Sequence, residues 1–157
     1  MKSVNSINRN TKFYQGIFTP KNKSKYIGNP DNIIFRSSYE LAFMKKLDQR
    51  SDVLKWSSEE IFIPYKSPID NKFHRYFIDF IVVIKDKDNK EVTYAIEVKP
   101  YSQTIPPVKK KNVTKRFISE SITYEVNQAK WEAAKNYCKE KGWVFQTITE
   151  KEIFGKG

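Results

Sequence analysis

Residues 75–100 read RYFIDFIVVIKDKDNKEVTYAIEVKP. Two apolar runs flank the polar stretch DKDNKE, and each run is interrupted by one carboxylate, Asp79 in the first and Glu97 in the second. The pattern predicts a strand over residues 74–84, a polar hairpin connection, and a second strand over 92–98. Side chains alternate across a strand. Asp79 therefore shares a face with Phe77 and Ile81, while Ile78, Phe80 and Val82 occupy the other. Both faces are apolar, so Asp79 is not the polar side of a half-exposed strand. Burying an ionised Asp without a partner costs several kcal/mol. The residue needs a basic side chain, backbone N–H groups or a metal.

Glu97 and Lys99 lie two positions apart and project from one face, with Val98 turned away. Counted inward from the turn, Ile84 to Asp79 and Val92 to Glu97 span equal distances. The two carboxylates are expected at comparable depth on adjacent strands. Convergent carboxylates beside a lysine suit Mg²⁺, which takes oxygen ligands and is commonly held by one or two carboxylates plus substrate phosphate. Such an ion neutralises phosphate charge and lowers the pKa of bound water, and Lys99 would orient that water or stabilise a developing oxyanion. A purely structural arrangement satisfies the same spacing: an Asp79–Lys99 ion pair closing the sheet, with Glu97 solvated. Spacing alone leaves both open.

Elsewhere, residues 37–49 have an apolar face at helical spacing (Leu41, Met44, Leu47). Ser37 and Glu40 open it with a capping-box pattern. Residues 60–65, EIFIPY, read as a short strand ended by proline. Residues 125–141 form a second helix, with Val126, Ala129, Ala133 and Tyr137 on one face and Gly142 as its stop. Residues 143–148 read as a strand, and Thr149 with Glu152 repeats the capping-box pattern. Trp56, Trp131 and Trp143 read as core, and His74 as a surface residue. The order is that of a mixed α/β domain. Residues 1–33, rich in Asn, Lys, Gly and Pro, read as a basic extended arm preceding a folded domain over 34–157.

The formal charge is +11 over 157 residues, which points to a polyanion, an anionic membrane surface or an acidic protein as partner. No acid precedes Asp31, whereas Lys2, Arg9, Lys12, Lys21, Lys23 and Lys25 do. A second acid-free stretch, residues 100–119, carries Lys109, Lys110, Lys111, Lys115 and Arg116. Two basic segments flanking the candidate site suggest phosphate contacts, or else solvated surfaces. Arg36 and Arg75, close in sequence to the acids, are further candidates for phosphate contact. Asn127 and Lys130, three apart on one helix face, are two more. A lone cysteine and a lone histidine exclude a disulfide framework, Cys-based zinc sites and His-rich metal clusters. There is no apolar run of membrane-spanning length, no N-terminal apolar segment of signal-peptide type, and no lipid-facing amphipathic helix. An intracellular, reducing environment is expected.

Asp79…Glu97-Val98-Lys99 resembles the core of the PD-(D/E)XK nuclease superfamily, with Ile78 in place of the nominal proline. Glu40 matches an extra acid that many members carry upstream, a use that competes with its capping role. Ordered blocks extend the resemblance over nearly the whole chain: TPKNKSKYIGNP, FRSSYE, IPY, RYFIDF, EVKP, PPVKKKNVTKRF and YEVNQAKWEAAKNY. In this the sequence is similar to the head-completion nucleases of T4-like tailed bacteriophages. The resemblance implies a restriction-endonuclease-like mixed β-sheet flanked by helices, also similar to TnsA-type transposase endonucleases. It implies Glu40, Asp79, Glu97 and Lys99 as catalytic residues. Asp79, Glu97 and the Val98 carbonyl would be ligands to Mg²⁺, with Mn²⁺ as a substitute. It further implies double-stranded DNA and phage portal, neck or head proteins as partners. The place of action would be the host cytoplasm during assembly, or the head–neck of the virion. Related nucleases often carry Q-x-x-x-Y on the second helix. Here Gln128 is followed by Glu132, so that pattern fails. Two other readings stand beside the endonuclease of head completion: a neck protein using the nuclease fold for docking, and a transposition or repair endonuclease.

Overall fold

The computed structural model describes residues 15–155, so Lys2, Arg9 and Lys12 of the first basic run lie outside the described residues. Eleven regular elements follow in order: β1 (Gly16–Phe18), β2 (Ile33–Phe35), α1 (Ser38–Gln49), β3 (Val53–Ser58), β4 (Phe62–Lys66), β5 (Phe73–Phe77), β6 (Phe80–Lys85), β7 (Glu91–Val98), α2 (Lys115–Lys141), β8 (Val144–Ile148) and α3 (Glu150–Phe154). The main sheet has strand order β3-β6-β7-β8. It is antiparallel except for the parallel β7–β8 pair, whose connection has to cross over and is made by α2. Two separate ribbons, β1-β2 and β4-β5, complete the strands. A mixed sheet with helices on both faces is the α/β architecture that the sequence predicted.

The central hairpin has the expected register. Ile84 faces Val92 and Phe80 faces Ile96, so the next step sets Asp79 opposite Glu97. Its turn is tied by Asp86, whose Oδ1 accepts from the backbone N–H groups of Asp88 and Lys90 at 2.9 Å each. Alternation then divides the core. Phe80 and Val82 pack with Met44, Leu47 and Trp56 on the α1 side. Ile81 and Ala95 pack with Trp131, Ala134 and Cys138 on the α2 side.

Several expectations need correction. The strand over 74–84 is two strands: β5 pairs with β4 in a ribbon, β6 pairs with β3 and β7 in the main sheet, and the chain breaks its pairing at Ile78 and Asp79. Proline does not end β4 but sits within it, opposite Arg75. Both strands of a two-stranded ribbon are edges, where a missing N–H is tolerated. The second helix starts at Lys115, capped by Thr114, whose hydroxyl accepts from Phe117 N at 3.0 Å. Its first turns leave Ile118 and Ile122 exposed, so no apolar periodicity marked them. The helix ends at Gly142 with φ +74°, the left-handed stop that glycine favours. Nor does the packed domain begin at residue 34: Phe18 and Tyr26 join the core on the α1 side. No described helix is long and apolar enough to cross a membrane.

Candidate active site

Asp79 lies where the chain leaves the β4-β5 ribbon and enters the main sheet. Its carbonyl accepts from Glu59 N at 3.1 Å, and its Oδ2 accepts from Val98 N at 2.8 Å. A backbone N–H is thus the partner that the sequence required. The Asp79–Lys99 ion pair with a solvated Glu97 does not form. Lys99 instead places Nζ 3.2 Å from Glu97 Oε1, and Glu97 is buried, at 3% exposure.

Glu97 reaches this depth because β7 runs between β6 and β8. Its other oxygen, Oε2, accepts a short hydrogen bond from the Tyr76 hydroxyl. Tyr76 is buried on the inner face of β5. Burial and the neighbouring Glu97 push its ionisation far above the usual phenol range, so it remains a donor. Lys130, on α2, holds Nζ 5.7 Å from the ring centroids of both Tyr65 and Tyr76. Burial, and then repulsion from Lys99, lowers its proton affinity; Glu97 and Asp79 oppose that shift.

Glu40 stands in the first turn of α1. Ser37 caps the helix by accepting from Glu40 N at 3.1 Å, but the Glu40 carboxylate accepts from Arg36 N at 2.8 Å, one residue before the cap. The reciprocal half of the expected capping box therefore does not form: the Glu40 carboxylate braces the helix entry through Arg36 N and electrostatically faces the other acids. Burial, followed by the charges of Glu59 and Glu97, raises its pKa to about 7, against the pull of Arg36. Arg36 meets Glu59 through two hydrogen bonds, Nε at 3.1 Å and Nη2 at 3.3 Å. Glu59 itself adopts φ +53°, a left-handed conformation that strains a residue with a side chain.

Asp79 feels this crowding most. Burial, then Glu97, then Glu40 hold its carboxyl well above the usual carboxylate range, despite the Val98 N–H and Lys99. Lys99 shows the converse: burial alone would lower it, but Glu97, Asp79 and Glu40 together raise its pKa. It therefore carries its charge at neutral pH. The cluster is a set of carboxylates short of positive charge, which is the electrostatic condition a bound cation relieves. Among the described residues, no three His, Cys, Asp or Glu side chains gather closely enough to hold a metal ion by themselves. The oxygen donors on offer are those of Asp79 and Glu97, with the Val98 carbonyl next to Glu97 in sequence. That set fits a hard cation that keeps several waters.

The structure therefore brings Glu40, Asp79, Glu97 and Lys99 into mutual electrostatic contact, with Arg36 and Lys130 beside them. The remaining basic candidates lie elsewhere. Arg75 is exposed on β5, its guanidinium 4.9 Å from the Phe62 ring centroid. Lys109, Lys110 and Lys111 are exposed in the loop before α2. Lys115 and Arg116 occupy its first turn, where Arg116 pairs with Glu120 at 2.7 Å. Among the described residues, no hydrogen bond or ion pair joins any of these to the carboxylates. Asn127 is buried and Gln128 exposed, in keeping with the failed helix pattern. His74 is exposed and pairs with Asp70 at 2.7 Å, a surface residue as expected.

Two residues of the site escape sequence reasoning. Tyr76 reads as one more aromatic of an apolar run, and only the depth of Glu97 gives its hydroxyl a task. Glu59 belongs to the polar stretch between β3 and β4, where no spacing singles it out.

Comparison with known proteins shows the family. The sequence model described as TnsA-like endonuclease N terminal matches residues 50–150, a span containing Asp79, Glu97 and Lys99. The chain is 40% identical over 148 residues to the head completion nuclease of Enterobacteria phage T4, covering 92% of this chain and 96% of that protein. The chain thus belongs to the TnsA-like endonuclease family and to the family of that phage nuclease.

Proposed function

We propose that this protein is a Mg²⁺-dependent endonuclease acting on double-stranded DNA late in phage head completion, at the portal vertex after packaging and before tail attachment. The observation that carries the reading is Asp79 standing just beyond the end of the β6–β7 ladder, its Oδ2 on Val98 N at 2.8 Å, with Lys99 held on the neighbouring Glu97 at 3.2 Å. Asp79, Glu97 and the Val98 carbonyl would hold the cation, and Mn²⁺ would replace Mg²⁺. When bound, the ion supplies positive charge to the phosphodiester and acidity to water.

The chain's own residues do the rest. Lys99, kept protonated by the surrounding acids, donates hydrogen bonds to charge developing on the phosphate. Glu40, with a pKa of about 7, is suited to take a proton from the attacking water at neutral pH. Tyr76 fixes the Glu97 carboxylate through Oε2. Arg36 and Lys130 contribute charge at the edges of the site. Arg75, Lys109, Lys110, Lys111, Lys115 and Arg116 are exposed and would track the backbone phosphates further out. Portal, neck or head proteins are the proposed assembly partners, met in the host cytoplasm during assembly or at the head–neck of the virion.

A nicking assay on supercoiled plasmid with Mg²⁺ or Mn²⁺ tests the chemistry. Asp79→Ala and Lys99→Ala should each remove cleavage. Retained cleavage in either would sink the assignment of that residue. Phage carrying Asp79→Ala should yield no infectious, tail-bearing particles if catalysis serves head completion.

A further inference from the structure

The β4-β5 ribbon turns one face to α2 and the other to solvent. Its outer face is a ladder of three cross-strand pairs: Phe62 with Phe77, Pro64 with Arg75, and Lys66 with Phe73. All six residues are exposed, Phe73 at 73%, Phe77 at 46% and Phe62 at 45%. Large exposed aromatics on a flat face mark a contact surface more often than chance. No acid occupies any position of the ladder. The pair nearest the carboxylates is Phe62 with Phe77, whose ring centroids are 5.6 Å apart. Arg75 lies over the Phe62 ring at 4.9 Å. Phe77 is two residues from Asp79, a span of at most about 7 Å of chain.

We propose that this outer face is a stacking platform for unpaired bases of a DNA strand leading to or from the carboxylate site. The proposal deepens the endonuclease reading and takes from it only the position of the cleaved strand. The chemistry selects the ligand class. Rings interleaved with cations and free of acids match a polyanion that also presents π-faces, which is single-stranded nucleic acid. An intact duplex keeps its base faces stacked inside, so it would engage Lys66 and Arg75 but leave the phenylalanines in water. The protein would then favour DNA that is frayed, gapped or open beside the cleaved bond over uninterrupted duplex.

The test is fluorescence anisotropy with the full-length protein in EDTA, using a labelled oligothymidylate and a duplex of equal length. Base–aromatic stacking is worth about 1–3 kcal/mol per base, so Phe62→Ala/Phe77→Ala should weaken single-strand binding about ten-fold or more. Duplex affinity should change less than about two-fold. Phe77→Trp keeps an aromatic surface; it should retain affinity, and its added emission should be quenched by the oligonucleotide. Unchanged single-strand affinity in the double variant overturns the proposal, as does an equal loss on duplex. If circular dichroism shows that the double variant has not folded, Phe77→Trp decides, and absence of quenching refutes the platform. A folded double variant with normal strand affinity that blocks particle assembly marks the face as a protein-docking surface and equally overturns the proposal. Because EDTA excludes cleavage, the nuclease reading fails separately: a wild-type protein that binds strands through these rings yet never nicks plasmid keeps the platform and loses the enzyme.

Discussion

Replacing Glu40 by Gln should stabilise the metal-free fold at pH 8 and leave it unchanged at pH 4. In the folded protein the Glu40 carboxyl titrates at about 7, against an ordinary 4.5, with burial the largest cause and Glu59 and Glu97 adding to it. The folded state therefore keeps a proton that the unfolded chain has already released. That advantage is complete below pH 4.5 and is lost as pH rises through about 7. At about 1.4 kcal/mol for each pH unit between the two values, the loss is about 3 kcal/mol by pH 8. Gln cannot ionise and escapes the loss. Its amide oxygen still accepts from Arg36 N, so the helix entry keeps its hydrogen bond.

Urea denaturation of both proteins in EDTA at pH 4, 6 and 8 reads the effect directly. The gap between them should open across that range and reach about 3 kcal/mol. Asp79 also has a raised pKa and gives both proteins a parallel pH dependence, which the difference largely cancels. What does not cancel acts in the same direction, because a neutral residue 40 relieves Asp79 of one negative neighbour. Adding Mg²⁺ at pH 8 should narrow the gap by stabilising the wild type more. Equal stabilities at pH 8, or a gap between the two proteins that does not widen from pH 4 to pH 8, would refute the view that Glu40 is a crowded, desolvated carboxylate.

Tyr76→Phe removes the hydroxyl that donates to Glu97 Oε2; hydrogen bonds to charged groups are worth about 1.5–3 kcal/mol. The variant should melt earlier in thermal denaturation and nick plasmid more slowly at saturating DNA. An unchanged melting temperature together with unchanged turnover would show that the hydroxyl does not hold the Glu97 carboxylate in place. Lys109→Ala/Lys110→Ala/Lys111→Ala should flatten the salt dependence of duplex binding, lowering the log–log slope by about three while sparing turnover at saturating DNA. An unchanged slope would place those lysines off the DNA path.

The sequence made the hairpin and its register legible because two strong local signals agreed, polar turn chemistry in DKDNKE and equal counts from the turn to each acid. It did not disclose that the first strand is two strands. Residues 73–77 and 80–85 are both extended and aromatic or apolar, so one alternation runs through the break, and only the choice of partner strand separates them. Capping signals at Ser37 and Thr149 were readable, since they depend on residues three apart. The start of α2 was not, because its first turns leave their apolar side chains in water. Glu40 carried two conflicting signals, and the conflict was itself informative. Its carboxylate bypasses the reciprocal cap for Arg36 N, a choice made by the position of the helix against the sheet.

The break at Asp79 is what converts a hairpin into a site. Had β5 and β6 formed one strand, the β6–β7 ladder would have continued past Phe80 and Ile96. Instead the ladder stops there, and the Asp79 side chain supplies the acceptor for Val98 N at 2.8 Å, while its carbonyl serves Glu59 N at 3.1 Å. A carboxylate thus stands where strand backbone would otherwise lie. The departing ribbon carries Tyr76 onto Glu97 from the α2 side, and Arg36 and Glu40 approach from the entry to α1. The cost is visible in the raised pKa values of Asp79 and Glu40 and in the left-handed backbone of Glu59. Each is a local violation of what a stable core prefers, and all of them meet at one point. Such convergence is expected where a fold gives up stability for a functional site, and it ties the carboxylates that interrupt the apolar pattern to the chemistry proposed for them.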